Sequence, residues 1–229
     1  MAGTIEFVER SGSIEDEIAG LTEETTELAI LAEDAFKNAA AALYGQEQEA
    51  AFIAIEHERT CAQMARTIHT RALTLLARHL PAGEEMRRIL ELQQFAAEFA
   101  RIAEDATTIA EQALQLRGMA EMHLLRAAGD APLLLLQLVR QAYFEVRGSI
   151  IATTARDMAI ARRLVSEDGE LDQLFLAFKR VVKATIRTDV TVSGPLQRLL
   201  VVGVRLEDIG NRVVAICHTL LYTPPPTAN

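Results

Sequence analysis

The sequence predicts an all-α protein made of two tandem three-helix bundles, six long antiparallel helices in all. Apolar residues step 3-4-3-4-3-4 through Leu199, Val202, Leu206, Ile209, Val213, Ile216 and Leu220, which is the buried seam of a bundle helix. Leu92, Phe95, Phe99, Ile102, Ala106, Ile109 and Ala113 step identically 107 residues earlier, so the chain carries an internal repeat. Composition agrees: Gly (12) and Pro (6) are scarce, Trp is absent and half the residues are hydrophobic, with Ala, Leu, Glu and Arg dominant.

The elements follow in order. Ser13 with Asp16 three residues on fits a helix start signal, and helical pattern runs to about Tyr44. One glycine, Gly45, need not end a helix, and the pattern resumes at Glu47 and continues to Leu80. Pro81, a good first-turn residue, is expected to open the next helix, which lasts past Leu116. Gly118, Gly129 and Pro132 mark the crossover between repeats. A fourth helix runs from Pro132 to about Val165, where "SEDG" offers a break, and a fifth continues to about Arg187. "TVSGP" then leads into a sixth, ending at "TPPPTAN". Aligning "IEHERTCAQM" from Ile55 with "VSEDGELDQL" from Val165 places the division of the first long segment near His57. The resulting units are residues 13–128 and 129–223. The β-branched cluster "TDVTVS" is too short to build a sheet.

A net charge of −9 would repel phosphate backbones, which argues against nucleic acid as a partner. The longest apolar runs, "LLLLQLV" and "LLVVGV", fall short of the ~20 residues a spanning helix requires, so no membrane insertion is expected. With no export signal in the opening residues, a cytoplasmic location is expected. The opening "PLLLLQLV" of the fourth helix offers more apolar surface than two small bundles can cover, which suggests a homodimer or a docking face.

Polar residues in helical register supply the candidate site. With Leu206 at an a position, Glu207 is b and Asn211 is f, one turn apart on the face away from the core. Gly210 between them would let a neighbouring helix or an ion approach the backbone. Asp168 and Asp172 form an i, i+4 carboxylate pair at the edge of the Leu164, Leu171, Phe178 seam. Two such pairs on adjacent helices would make an all-oxygen cluster suited to a hard cation such as iron, manganese or magnesium, and unsuited to zinc. The alternative is a solvated acidic face.

None of the five histidines has Glu three residues before it, which disfavours a di-iron oxidase. Cys61 and Cys217 are read as buried hydrophobes, and the His57–Cys61 pair lacks a third ligand. No nucleophile elbow, zinc-protease motif, P-loop or dinucleotide fingerprint occurs, so an enzyme is not expected.

The segment "LEDIGNR" from Leu206 resembles the "L-E-R-I-G-D-H" pattern that closes each repeat of the PhoU family, matching at Leu, Glu, Ile and Gly. "FARIAED" from Phe99 resembles it more loosely, and "LLARHLPAGEEMRRI" from Leu75 resembles an upstream family segment with Pro81, Glu85 and Arg87 in register. The likeness spans about Asp16 to Thr223. It implies tandem three-helix bundles with surface metal sites formed by acidic pairs on the second and third helix of each. Carried over, the second repeat keeps Asp168, Asp172 and Glu207, with Asn211 replacing the fourth carboxylate. The first keeps Glu58 and Glu104, but Ala62 and Ala100 stand at the partner positions, so that site is expected to be empty. The resemblance also implies a negative regulator of phosphate uptake and homeostasis, an adaptor between the ATPase subunit of a phosphate ABC transporter and a sensor histidine kinase. A helical-bundle binding module for another protein partner and a metal-dependent enzyme are the other classes the residues leave open.

Overall fold

The computed structural model describes residues 13–45, 47–116 and 129–222; the side chain of Asp168 also lies outside the described residues. Six helices account for nearly all of them: α1 (Ile14–Gly45), α2 (Gln48–His79), α3 (Glu84–Leu116), α4 (Ala131–Ala155), α5 (Met158–Thr188) and α6 (Ser193–Tyr222). A 3-10 turn, Val190–Val192, precedes α6, and no strand occurs among the described residues. Gly118 and the "TPPPTAN" tail, both read as helix breakers, lie outside the described residues.

The start of α1 is the expected capping box. The Asp16 N–H donates to Ser13 Oγ at 3.2 Å and the Ser13 N–H donates to Asp16 Oδ2 at 3.3 Å. Pro132 sits in the first turn of α4, where its missing N–H costs nothing. Pro81 does not open α3, as the sequence suggested; it follows the end of α2, where Leu80 takes the left-handed conformation (φ 45°) and its N–H donates to the Leu76 carbonyl at 3.2 Å. Gly83, at φ 62°, turns the chain before α3 begins at Glu84.

Two expected breaks are displaced. α2 runs through His57 without interruption, and the first long segment divides instead between Gly45 and Gln48. Around His57, Ala54, Glu56, Glu58, Arg59, Ala62 and Gln63 are good helix formers, and no glycine or proline interrupts them. Likewise "SEDG" lies inside α5, and the chain turns at Arg156 and Asp157. Arg156 adopts the left-handed conformation (φ 52°), and the Asp157 carboxylate accepts from the Ala159 and Ile160 N–H groups at 2.9 and 3.1 Å. That N-cap outcompetes the loop-like composition of "SEDG". The N-cap residues Glu47 and Asp157 stand 110 residues apart, so the repeat offset holds while both breaks fall about ten residues earlier than read.

Helices α1, α2 and α3 pack against one another, as do α4, α5 and α6. All fourteen seam positions on α3 and α6 are buried. The bundles meet along α3 and α6, with α1 touching α4 beside them. α6 approaches α5 so closely that a Cβ at Gly203 would lie 2.8 Å from Phe178 Cε1 and 3.2 Å from Phe175 Cε2, while one at Gly210 would run into Leu171 Cδ2.

Gly203→Ala should therefore lose about 1–3 kcal/mol to overpacking against a buried ring, despite a helix-propensity gain of about 1 kcal/mol. Gly169, with open space where its Cβ would be, should behave oppositely, and Gly169→Ala should gain about 0.5–1 kcal/mol. Urea unfolding of both variants measures this, and equal effects at the two sites would contradict the close α5–α6 approach.

Candidate functional site

The two repeats place their acidic candidates differently. On the second bundle, Asp172 is exposed on α5 and Glu207 is half-buried on α6. Burial raises the Glu207 carboxyl above its ordinary range, and the charges of Asp172 and Asp208 push it the same way against an opposing pull from Lys179. The fold thus brings Asp172 and Glu207 within electrostatic reach, a like-charge pair that a cation would relieve. Asn211 lies exposed one turn along α6. Asp168 belongs to α5, but its side chain is outside the described residues. Among the described residues no group of three His, Cys, Asp or Glu side chains is placed to hold a metal ion. In the first bundle Glu58 is half-buried on α2 and Glu104 is exposed on α3, with Ala62 and Ala100 one turn from them.

Gly210, between Glu207 and Asn211, admits a helix: Leu171 of α5 fills the space its side chain would need. Both cysteines are fully buried, and burial pushes each thiol up to about 12, Cys61 with help from Glu58 and Cys217 with help from Glu145. Neither is a nucleophile at neutral pH.

The most extensive polar cluster joins the two bundles, and it was missed in the sequence. Glu91, Glu98 and Asp105 recur every seven residues on α3, immediately before each a position of the seam, and all three are buried. Arg198, Arg205 and Arg212 occupy the same heptad position on α6. The helices run antiparallel, so the columns interdigitate. Arg205 Nη1 donates to Asp105 Oδ1 at 3.2 Å, Arg212 lies 3.8 Å from Glu98 and 4.0 Å from Asp105, and Arg198 donates to Gln112 at 3.3 Å. At the far end Arg156, beyond α4, donates to Glu91 Oε2 at 2.7 Å, joined by Arg88 at 3.2 Å. Each carboxylate also has support from its own helix or its partner: Gln94 and Arg101 donate to Glu98, and Asp208 shares Arg205. Charged residues flanking a heptad seam on facing helices are the signal that would have revealed this ladder.

Burial dominates the chemistry of Asp105. It raises the carboxyl to about 6, the hydrogen bond from Arg205 and the charges of both arginines opposing that rise and Asp208 reinforcing it.

A family profile described as PhoU domain matches residues 25–113. The accessory protein PhoU of the phosphate-specific transport system in Escherichia coli is 22% identical over 214 residues, 93% of this chain and 85% of that protein. A PhoU homolog of Thermotoga maritima with the same description is 23% identical over 210 residues, 91% and 87% of the two chains. The crystal structure of PhoU from Pseudomonas aeruginosa superposes with a TM-score of 0.87 at 20% identity, over 92% of this chain and 98% of that one. The chain is similar to the PhoU family in its first bundle by profile and in its whole fold by superposition. PhoU from Streptococcus pneumoniae shares the fold too, with a TM-score of 0.79 at 19% identity and 92% of this chain covered. The relatives matched are named as accessory proteins of the phosphate-specific transport system. The profile falls on the first bundle, whereas the family motif read from sequence is closest at Leu206 in the second.

The folded Asp105 holds its proton up to about pH 6, against an unfolded value near 3.9. Its contribution to stability is full below pH 4 and is lost as pH rises through 6, at up to ~1.4 kcal/mol per unit. Asp105→Asn abolishes that dependence. Urea titrations from pH 4.5 to 7.5 should show wild type losing ground to the variant by at least ~1 kcal/mol. A constant difference would show that Arg205 and Arg212 keep Asp105 ionised throughout.

Proposed function

We propose that this chain is a cytoplasmic accessory protein of phosphate-specific transport, a negative regulator that restrains uptake and quiets a sensor histidine kinase when phosphate is plentiful. The supporting observation is its correspondence, over almost its whole length, with proteins named for that accessory role. Among the described residues no helix is long and apolar enough to cross a membrane, which suits a protein that acts by docking on membrane-bound machinery. The transporter's ATPase subunit and the kinase are the partners proposed. The ion ladder between α3 and α6 supports this reading, because it holds two helical bundles as one extended surface. In the native host, deletion should derepress phosphate uptake and starvation signalling at high phosphate, and the tagged protein should co-purify with the ATPase subunit. Unchanged uptake together with capture of unrelated proteins would favour a binding module serving another process.

The metal reading belongs to the second bundle. Asp172 and Glu207, with Asp168 on the same helix as Asp172 and the amide oxygen of Asn211, would hold a hard cation such as manganese, iron or magnesium weakly, because affinity follows ligand charge. Glu58 and Glu104 lack their partners and would hold none. Asn211→Asp should tighten Mn²⁺ binding about tenfold in calorimetric titration. Stoichiometric metal retained by Asp172→Ala would mean that these carboxylates are only a solvated face.

A further inference from the structure

We propose that the cleft between α1 and α4 is a docking groove for an acidic amphipathic helix of a partner protein. The proposal stands independently of whether that partner belongs to phosphate transport. The cleft encloses about 510 Å³ and is floored by Phe36 and Ala40 of α1 and Val139 of α4. Phe144 stands at its edge, a large apolar side chain with 69% of its surface exposed. The exposure continues along α4: Leu133, Arg140, Phe144, Arg147 and Ile151 share one heptad-spaced outer face, with Leu133 and Ile151 64% and 45% exposed. From Leu133 to Ile151 this face is about 27 Å long, enough for a docked helix of about 18 residues.

Charge identifies the occupant. The chain carries a net charge of −9, yet the exposed face of α4 is cationic. The only acidic residue within α4 is Glu145, and it is buried. Lys37 on the α1 rim is already engaged by Glu33 and Asp34 at 3.3 and 3.1 Å, and Arg147 donates to Tyr143 Oη at 3.3 Å. Arg140, at the cleft itself, makes no ion pair among the described residues. An apolar groove edged by an unneutralised guanidinium fits a helix with aliphatic residues on one stripe and Glu or Asp beside it. A second copy of this chain fits less well, since antiparallel pairing of α4 with itself would bring Arg140 and Arg147 near their own counterparts. A lipid surface fits less well too, because the floor residues Phe36 and Val139 are buried in a concavity that a flat bilayer cannot enter.

The test uses a fluorescein-labelled synthetic peptide of about 18 residues, with Leu on one helical stripe and Glu flanking it, titrated into the full-length chain by anisotropy. A control peptide carries Lys in place of Glu. Saturable binding of the Glu peptide is expected, weakened about tenfold or more by Arg140→Glu and by Phe144→Ser and reduced at high salt. Both substituted side chains are exposed, so circular dichroism melts should match wild type. No saturable binding, equal binding of the Lys peptide, or affinity unchanged by both variants would overturn the proposal. So would light scattering that shows a dimer dissociated by Phe144→Ser, which assigns the groove to a second copy. Binding to phosphatidylcholine–phosphatidylglycerol vesicles that Phe144→Ser abolishes would assign it to lipid, and peptide binding that appears only after residues 117–128 are deleted would assign it to the chain's own connection.

Discussion

The relation between the two bundles rests on one column of carboxylates meeting one column of guanidinium groups across α3 and α6. Both columns occupy the position just before each a residue of a duplicated seam. The interface therefore has the logic of a two-fold contact, in which residue i of one repeat meets residue j of the other and the reverse holds too. Glu98 faces Arg212, and Asp105 faces Arg205, with each pair interchanged by the 107-residue offset of the repeat. An identical duplication would have set acid against acid or arginine against arginine. Divergence to opposite charge at the same register position lets two copies of one helix pack antiparallel within a single chain. The carboxylates are buried, so desolvation offsets much of the attraction. What the ladder supplies is register: a slip of α6 by one turn would strip Glu98 of Arg212 and leave Asp105 buried without its arginine partners.

The apolar seams have diverged in a compensating way. In α3, Phe95 and Phe99 stand where α6 has Val202 and Leu206, while Ala106 and Ala113 stand where it has Val213 and Leu220. Buried alanines also line α1, among them Ala29, Ala32, Ala35 and Ala39, so the first bundle packs its helices on small residues and fills one region with rings. The second bundle reaches close approach differently, through Gly203 and Gly210 under Phe178 and Leu171. Close packing demands a filled interior but not the same residues in each copy. Ala62 and Ala100 of the first bundle are only partly buried, so neither position is fixed by core packing.

Taken together, these features describe a scaffold whose chemistry lies on its surface. The buried charges hold the bundles in register, the cysteines are inert core residues, and the acidic pair Asp172–Glu207 and the cationic face of α4 lie on different helices and carry opposite charge. Surfaces of opposite charge on one rigid body select differently charged binding partners.

Periodicity and end signals were legible in the sequence because both are local. The buried seams of α3 and α6, the Ser13–Asp16 capping box and the start of α4 at Pro132 follow from residues within a turn or two of each other. The breaks at Gly45–Gln48 and at Arg156–Asp157 were not legible, since an Asp that caps a helix and a Ser-Glu-Asp-Gly run inside one look alike until the neighbouring turns are in place. Heptad columns of Glu and Arg could be seen in the chain, but solvated helix faces show the same spacing. Only tertiary structure decided that these columns meet each other in a buried interface while Arg140 and Phe144 stay uncovered. The reason is that burial and pairing depend on which helices the fold makes neighbours, and residues a hundred positions apart carry no local mark of that choice.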